Sequence, residues 1–311
     1  MSAGPDPADR RVRIYEVGPR DGLQNEADIV PTGVKARFIE LLADAGLREI
    51  EATSFVSPRA IPQLADAEAL LSALPRRPGV RYPVLVPNER GMVRAEAAAA
   101  VDAIAVFTAA TDAFTTANIG MTIDESLAAF APVLARAGEL GWWRRAYVST
   151  AFGCPYQGRV DPADAVAVAR RLLDLGADEI CFGDTIGVGV PDQVVELVGL
   201  AEDAGIPLGQ QAYHFHDTRG TALANVAMGL AAGIRTFDSS TGGTGGCPYA
   251  PGGAGNLATE DLVYFLDASG WEHGVELDKV LEAARFIADA LGRPLATKVG
   301  LAGGWPRAAS R

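Results

Sequence analysis

Histidine and cysteine are both scarce in this chain, which has 311 residues but only three of each. Three cysteines are an odd and sparse set, too few for a disulfide framework, so we expect a reducing compartment and a cytoplasmic protein. The chain also lacks any run of eighteen apolar residues, which excludes a membrane-spanning helix. Its first ten residues, MSAGPDPADR, lack the apolar core of a signal peptide.

Basic residues are outnumbered, because the chain has 39 acidic and 27 basic side chains and a net charge of −12. Such a chain repels nucleic acids and anionic membrane surfaces, so we expect neither as a partner. Hydrophobic residues make up 49% of the sequence, which excludes general disorder. The length suits either one large domain or two ordinary ones.

Short β-branched runs alternate with alanine-rich helical segments along the chain. The strand-like runs lie near residues 12–17, 50–55, 82–86, 103–107, 146–151, 179–182, 211–216 and 236–239. Eight strand–helix pairs with buried strands predict an α/β fold, a (β/α)8 TIM barrel. The rival is a doubly wound open sheet, which usually carries the pattern G-x-G-x-x-G after its first strand, and EVGPRDG does not match that pattern.

The barrel is expected to form a single domain, because no linker, charge block or low-complexity stretch marks a second one. We place this domain at residues 11–301, after a disordered N-terminal tail at 1–10 and before a loose C-terminal tail at 302–311. Leu277–Leu291 is expected to form an extra C-terminal helix beyond the eighth strand–helix unit.

The unusual motifs of the sequence follow the predicted strands. The loops at the carboxyl ends of barrel strands build the active site, so these motifs are expected to meet at one end of the barrel. In chain order they are GPRDGLQNE, TSF, CFGDT, HFHDT, GGTGGCP and GGAGN.

The segment His214-Phe215-His216 is the sharpest local signal. Alternate residues of a strand point to the same side, so both imidazoles face one space. With the Asp21 carboxylate and the Asn256 amide oxygen they supply four ligands, a mixture that suits Mg²⁺ or Mn²⁺. The other interpretation is a hydrogen-bonded core pair, but two of only three histidines lie here, which favours metal binding. The third, His273, is expected at the surface.

Arg20 and Cys247 are less specific signals. Arg20 lies just after the first strand, where an arginine can clamp a carboxylate or stabilise an enolate oxygen, although an Arg-Asp dipeptide is often a surface pair. Cys247 lies in a glycine-rich loop, where it is either a small apolar filler or a proton donor or nucleophile. Its spacing alone slightly favours the filler.

Several motifs together resemble the 3-hydroxy-3-methylglutaryl-CoA lyase family of metal-dependent TIM-barrel lyases. They are EVGPRDGLQNE, EATSFVSP, FGCPYQG, GDTIGVG, HFHDT and GGCPYAPGGAGNLATEDLVY, and the match extends from about Arg11 to Leu301. The resemblance implies a divalent-cation enzyme that cleaves a 3-hydroxyacyl-CoA into acetyl-CoA and a keto acid, acetoacetate for the parent substrate. It also implies a homodimer.

Carried over by motif, the resemblance assigns roles to individual residues. The implied metal ligands are Asp21, His214, His216 and Asn256. The implied catalytic residues are Arg20 (stabilising the enolate) and Cys247 (as a catalytic thiol rather than a filler), together with Glu51, Asp184 and Glu260, which fall on family positions tied to catalysis or site integrity. The implied substrate-binding residues are Gln24, Ser54, Asn118 and Cys181. Either His214 or Asp184 is the general base.

Three positions depart from the family pattern: Cys181 stands for a serine, Arg219 for an aromatic residue and Pro251 for a glutamine. These changes leave room for a larger or differently branched acyl group. One rival function is a Claisen-type condensing synthase of the same barrel group, which usually has a long C-terminal extension. The other is an inactive barrel that acts as a binding protein, and the presence of all four candidate ligands speaks against it.

Overall fold

The computed structural model describes residues 10–98, 101–246, 254–294 and 297–304. The strands are β1 (Arg13–Glu16), β2 (Glu49–Ile50), β3 (Thr53–Ser54), β4 (Val84–Leu85), β5 (Ala103–Ala109), β6 (Trp143–Ser149), β7 (Glu179–Asp184), β8 (Gln211–Phe215) and β9 (Thr236–Ser239). The helices are α1 (Thr32–Asp44), α2 (Ala67–Ala73), α3 (Glu89–Ala97), α4 (Asp112–Ile119), α5 (Ile123–Glu139), α6 (Pro162–Asp174), α7 (Pro191–Asp203), α8 (Ala222–Ala231), α9 (Thr259–Ala268), α10 (Leu277–Leu291) and α11 (Lys298–Ala302).

The strands form a parallel sheet in the order β2-β1-β9-β8-β7-β6-β5-β4-β3. Its two edges, β2 and β3, are pieces of one extended segment that is interrupted only at Glu51 and Ala52. At this interruption Glu51 N–H donates to Glu16 O on one side, and Ala52 N–H donates to Pro83 O on the other. The segment therefore closes the sheet, and the predicted eight-stranded TIM barrel is confirmed.

The strands are continuous apolar runs in the sequence because nearly all of their residues are buried. In β5 six of the seven residues are buried, and in β7 all six are buried. Strands covered by helices on one side and packed inside the barrel on the other have no solvent-facing side. The helices bury one face each, and α5 begins with a capping box between Thr122 and Glu125.

The extra helix is confirmed, since α10 spans the predicted residues Leu277–Leu291. The strand β6 begins at Trp143, earlier than the expected residue 146. The predicted domain limits stay a prediction, because residues 1–9 and 305–311 lie outside the described ranges. Within those ranges, no helix has the length and apolar character needed to cross a membrane.

Candidate active site and metal centre

The turn Gly18–Gly22 follows β1 and carries Arg20 and Asp21 to the carboxyl end of the barrel. Its backbone folds tightly around Val17 O, which accepts the N–H groups of Arg20, Asp21 and Gly22. Gly22 is required here, because a Cβ atom at this position would collide with the Thr244 side chain. The local sequence Gly-Pro-Arg-Asp-Gly therefore sets the direction of two charged side chains.

Asp21, His214 and His216 lie together at this end of the barrel. One potential ligand atom of each lies within 4.8 Å of the others. The two imidazole ring centroids are 5.3 Å apart, as expected for alternate residues that share one side of a strand. The structure thus brings together three of the four metal ligands proposed from the sequence.

Asn256 completes the group. Its Nδ2 donates to Asp21 Oδ2 at 2.8 Å and to Thr244 O at 3.0 Å. Its Oδ1 is buried and has no hydrogen-bond partner among the described residues, and the same is true of His216 Nδ1. Buried polar atoms are rarely left unpaired in native proteins, so two such atoms beside a carboxylate fit a bound divalent cation.

The charge states of Asp21 and His216 also suit a cation. Burial alone raises the pKa of Asp21, but the charges of Arg20 and His214 lower it to about 2. Burial and the neighbouring His214 lower the pKa of His216 to about 3. At neutral pH the carboxylate is therefore charged and this imidazole is neutral, which are the states that bind a metal.

His214 is oriented by Asp238 of β9. Its Nδ1 lies 3.2 Å from Asp238 Oδ2, which leaves the Nε2 atom for a cation. Burial lowers the pKa of His214, but the hydrogen bond and charge of Asp238 outweigh burial and raise it. Asp238 in turn accepts from Arg145 NH2 at 2.6 Å, so the carboxylate is itself held in place.

Arg20 is held by two carboxylates. Its Nε donates to Glu51 Oε1 at 2.5 Å, and its NH1 donates to Asp21 Oδ1 at 2.7 Å. The other oxygen of Glu51 accepts from Tyr147 OH at 2.6 Å. Glu51 thus holds the Arg20 guanidinium, which lies beside the proposed metal ligands.

A cavity of about 500 Å³ opens at this end of the barrel. Arg20, Asp21, His214 and His216 line its polar side, while Leu85, Phe107, Phe130, Ile119 and Met121 are among the apolar residues that line it. We call it the catalytic cavity. Its mixture of apolar walls and a few convergent polar groups is typical of a small-molecule site.

Two of the four proposed substrate-binding residues, Gln24 and Asn118, line the catalytic cavity. The other two lie outside its lining. Ser54 Oγ donates to Leu85 O at 3.2 Å and accepts from Val56 N–H. Cys181 lies inside the barrel with Sγ 3.6 Å from Asp238 Oδ2.

Asp184 and Glu260 hold loops and do not line the catalytic cavity. Asp184 accepts the N–H groups of Val188 at 2.9 Å and Gly189 at 2.8 Å, which shapes the loop after β7. Glu260 Oε2 accepts from Gly242 N–H at 3.0 Å, where the glycine-rich loop begins. Cys247, the proposed catalytic thiol in that loop, lies outside the described residues.

Arg145, Tyr147 and Asp238 were not predicted from the sequence. Arg145 is fully buried, and besides Asp238 it reaches Tyr147 OH through NH1 at 3.3 Å. It therefore connects the Asp238–His214 pair with the Glu51–Arg20 pair. The signal that could have revealed it is a charged residue at an inward-facing position of a strand, since Arg145 and Tyr147 are alternate residues of β6.

The expectation that His273 lies at the surface is met only in part, because the residue is half-buried and its side chain is covered. Its side chain is only 3% exposed, and its Nε2 lies 2.9 Å from Asp267 Oδ1. The polar residues around His273 predict an exposed turn, but they do not show that the His273 side chain packs against the end of α9.

Asp238→Asn is expected to lower the affinity for Mn²⁺ by about 10–100-fold, because the amide no longer fixes the ring and tautomer of His214. Isothermal titration calorimetry of the metal-stripped protein measures this affinity. Asp267→Asn is the matched control, since it removes the other Asp–His contact far from the metal site. Equal affinities of Asp238→Asn and the native chain would refute the orienting role of Asp238.

Glu260→Gln is expected to make the free energy of unfolding fall less than it does in the native chain when the pH is raised from about 5 to about 8. Burial raises the pKa of Glu260 to about 7, from a usual value of 4.5. The stability that comes from its neutral form is present at low pH and is lost as the pH rises through about 7, whereas a glutamine has no proton to lose. Urea unfolding at about pH 5 and about pH 8 measures the difference in unfolding free energy between variant and native chain. A difference that does not change with pH would contradict this prediction.

Comparison with known proteins identifies the family. A family model described as HMGL-like matches residues 11–287. The mitochondrial hydroxymethylglutaryl-CoA lyase of Bos taurus is 49% identical over 290 residues, which cover 93% of this chain and 89% of that protein. The structure of hydroxymethylglutaryl-CoA lyase from Pseudomonas aeruginosa has a TM-score of 0.92 and 42% identity, and the match covers 94% of this chain and 97% of that one. An HMG-CoA lyase from Acinetobacter baumannii, in complex with coenzyme A and 3-methylmalate, has a TM-score of 0.90 and 35% identity, and the match covers 99% and 100% of the two chains. This chain therefore belongs to the HMGL-like family, and it is similar to hydroxymethylglutaryl-CoA lyases over nearly its whole length.

Proposed function

We propose that this protein is a carbon–carbon lyase that cleaves 3-hydroxy-3-methylglutaryl-CoA, or a closely related 3-hydroxyacyl-CoA, into acetyl-CoA and a keto acid. For the parent substrate the keto acid is acetoacetate. The observation that carries the proposal is the placement of Arg20 beside Asp21, His214 and His216 in one cavity, in a chain of this family.

The cation is Mg²⁺ or Mn²⁺ in this proposal, held by Asp21, His214, His216 and Asn256. Two oxygen donors and two imidazole donors suit either ion. Asn256 Oδ1 has no hydrogen-bond partner among the described residues, which supports its role as the fourth ligand. When bound, the cation supplies Lewis-acid polarisation of the substrate's hydroxyl group.

Arg20 stabilises the negative charge that develops on the thioester oxygen as the carbon–carbon bond breaks. Glu51 and Asp21 hold its guanidinium before the substrate arrives, so little reorganisation is needed during the reaction. Pre-organised charge in a cavity of limited water access stabilises a transition state far more than the same charge does in water.

Proton transfer is assigned to His214 or Asp184 as the base and to Cys247 as the acid that protonates the enolate. His214 lines the catalytic cavity, but with Asp238 at Nδ1 and a cation at Nε2 it would have no free nitrogen to accept a proton, which favours Asp184 as the base when the cation is bound. The pKa of Asp184 is raised by its burial, which makes it a better proton acceptor than an ordinary aspartate, and its neighbours Gly183 and Thr185 line the cavity. Glu260 supports the proposed acid indirectly, because it anchors the start of the glycine-rich loop at Gly242.

The substrate is a coenzyme A thioester in this proposal, with its acyl group in the catalytic cavity. The complex of the Acinetobacter baumannii relative with coenzyme A supports this class of substrate. Phe107, Phe130 and Leu85 provide apolar surface for an alkyl branch at carbon 3, and Gln24 and Asn118 provide polar contacts.

We propose a cytoplasmic homodimer as the working form of the enzyme. The scarcity of cysteine supports a reducing compartment. The relative from Bos taurus is described as mitochondrial, so fractionation of the native cell is the direct test of location, and light scattering of the purified protein is the direct test of assembly.

The test of the proposed activity is product analysis. Purified protein with Mn²⁺ and 3-hydroxy-3-methylglutaryl-CoA is expected to release acetyl-CoA and acetoacetate in equal amounts, measured by chromatography. A condensing synthase would instead consume acetyl-CoA when a keto acid is supplied, and an inactive barrel would bind the thioester without turnover. If neither this substrate nor a panel of branched 3-hydroxyacyl-CoA thioesters is cleaved, the lyase assignment fails.

A further inference from the structure

Glu16 is a fully buried carboxylate that no step of the proposed reaction uses. It is the last residue of β1, its exposed fraction is 0%, and it does not line the catalytic cavity. Burying a carboxylate is costly unless hydrogen bonds or a cation compensate for the lost hydration. The groups that contact Glu16 therefore indicate what its burial achieves.

Three segments of the chain meet at this carboxylate. Its Oε1 accepts the backbone N–H groups of Gly18 and Thr241, both at 2.8 Å. Its Oε2 accepts the hydroxyl of Thr241 at 2.7 Å and the hydroxyl of Thr259 at 2.6 Å. Gly18 begins the turn after β1, Thr241 begins the turn after β9, and Thr259 begins α9. One side chain thus fastens two turns and a helix to each other.

The bond to Gly18 fixes the turn that carries Asp21. A Cβ atom at position 18 would lie 2.5 Å from Glu16 Oε1 and would displace the carboxylate from its hydrogen bonds. Glycine therefore allows the turn backbone to approach Glu16 closely. Since Asp21 lies within the same turn, Gly18–Gly22, its position depends on this contact.

The bonds to Thr241 fix the segment that orients Asn256. Thr241 O accepts from Thr244 Oγ1 at 3.2 Å, and Thr244 O accepts from Asn256 Nδ2 at 3.0 Å. The same Nδ2 donates to Asp21 Oδ2 at 2.8 Å. Because both of these acceptors lie on the Nδ2 side of the amide, Asn256 Oδ1 is left for a cation.

The imidazole ligands are held by other contacts. His214 belongs to β8, His216 follows that strand directly, and Asp238 orients the His214 ring. The proposed metal site therefore consists of two pairs of ligands. The oxygen pair, Asp21 and Asn256, is fastened through Glu16, whereas the nitrogen pair is fastened through β8 and β9.

We propose that Glu16 is a positioning residue that holds the oxygen pair in place for the cation, an inference that rests on the metal site of the proposed function. Carboxylate and amide oxygens suit Mn²⁺, whereas imidazole nitrogens suit Ni²⁺. Loss of Glu16 is therefore expected to weaken the binding of Mn²⁺ more than the binding of Ni²⁺. A general loss of stability lowers both affinities together.

The experiment titrates Mn²⁺ and Ni²⁺ separately into the metal-stripped full-length protein by calorimetry, and the ratio of the two affinities is the readout. Glu16→Ala is expected to lower the affinity for Mn²⁺ at least about tenfold and the affinity for Ni²⁺ less than about threefold. Thr241→Val removes one of the four hydrogen bonds and keeps the carboxylate. It is expected to shift the ratio in the same direction by a smaller factor, and it tests the proposal if Glu16→Ala does not fold.

Glu16→Gln is the conservative variant. Its amide oxygen can accept the two backbone N–H groups, and its amide nitrogen can donate to the two threonine hydroxyls, which accept as well as donate. This variant is expected to keep the native ratio of affinities. A shift in Glu16→Gln equal to that in Glu16→Ala would assign the effect to the charge of Glu16 and would overturn the positioning role.

Asp261→Ala is the matched control, because it removes another buried carboxylate near the start of α9. Asp261 accepts the backbone N–H groups of Lys298 at 3.2 Å and Val299 at 2.7 Å, so it fastens α11 and not the oxygen pair. It is expected to keep the native ratio.

The proposal is overturned if folded Glu16→Ala or Thr241→Val protein keeps the native ratio, if both affinities fall equally, or if Asp261→Ala shifts the ratio as much as Glu16→Ala. Thioester cleavage by the native chain is measured separately. A native chain that shows the expected metal ratios but cleaves no 3-hydroxyacyl-CoA would end the proposed lyase activity and support the role of Glu16.

Discussion

The His216→Ala variant is expected to bind Mn²⁺ at least about 100-fold more weakly than the native chain and to cleave 3-hydroxy-3-methylglutaryl-CoA no faster than the metal-free protein. His216 is buried, its Nδ1 has no hydrogen-bond partner among the described residues, and its ligand atom lies within 4.8 Å of those of Asp21 and His214. Alanine removes this ligand and leaves the cation to fewer donors. Electron paramagnetic resonance of Mn²⁺ measures the affinity, and acetyl-CoA release measures the rate.

The matched control is His273→Ala. This variant removes the third histidine of the chain, whose partner is Asp267 and which lies near the first residues of the strands, at the other end of the barrel. It is expected to keep native metal affinity and rate. Circular dichroism shows whether each variant is folded. A folded His216→Ala protein with native metal affinity would remove His216 from the metal site.

The Arg20→Gln variant is expected to lower kcat by about 10²–10³-fold, as is typical when one pre-organised donor to a developing oxyanion is lost. Arg20 is buried between Glu51 and Asp21, so its charge is available without reorganisation. Mn²⁺ affinity is expected to change much less than kcat, because Arg20 is not a ligand. Steady-state kinetics at saturating metal separates the two effects.

Arg90→Gln is the matched control for this substitution, since it makes the same chemical change at an exposed site. A native kcat in Arg20→Gln would contradict the proposed role of Arg20 in stabilising the enolate. A loss of rate that disappears at high metal concentration would instead assign Arg20 to positioning Asp21.

The cluster of Asp21, His214 and His216 could be predicted from sequence because it depends on local geometry. Alternate residues of a strand share a side, and the carboxyl ends of parallel strands meet at one end of a barrel. The first rule acts within one strand, and the second follows from the parallel barrel topology without any knowledge of side-chain packing. The lining of the catalytic cavity confirms that these strand ends meet. Gln24 and Asn118, which were proposed from the sequence, also belong to that lining.

The supporting network could not be predicted in the same way. Arg145 of β6 reaches Asp238 of β9 across the barrel interior, 93 residues further along the chain. Whether two such inward-facing charges touch depends on the tilt and register of the whole barrel and not on either strand alone. The placement of Cys181 beside Asp238, below the catalytic cavity, depends on the same packing.

The roles of the loop carboxylates could not be predicted from the sequence alone. The resemblance ties Asp184 and Glu260 to catalysis or site integrity, and in the structure Asp184 accepts two backbone N–H groups of its loop and Glu260 accepts one. A motif reveals that a carboxylate is required, but it does not separate a residue that touches substrate from one that shapes a loop.

In the proposed mechanism, cleavage requires a cation in the site formed by Asp21, His214, His216 and Asn256. A stepwise addition of Mn²⁺ to the metal-stripped native protein tests this requirement, with bound Mn²⁺ recorded by electron paramagnetic resonance and acetyl-CoA release from 3-hydroxy-3-methylglutaryl-CoA recorded on the same samples. We expect a rate proportional to the occupied fraction of a single site per chain, with no turnover before metal is added. Full turnover by the metal-stripped protein, or a site that fills without any gain in rate, would contradict the proposed mechanism.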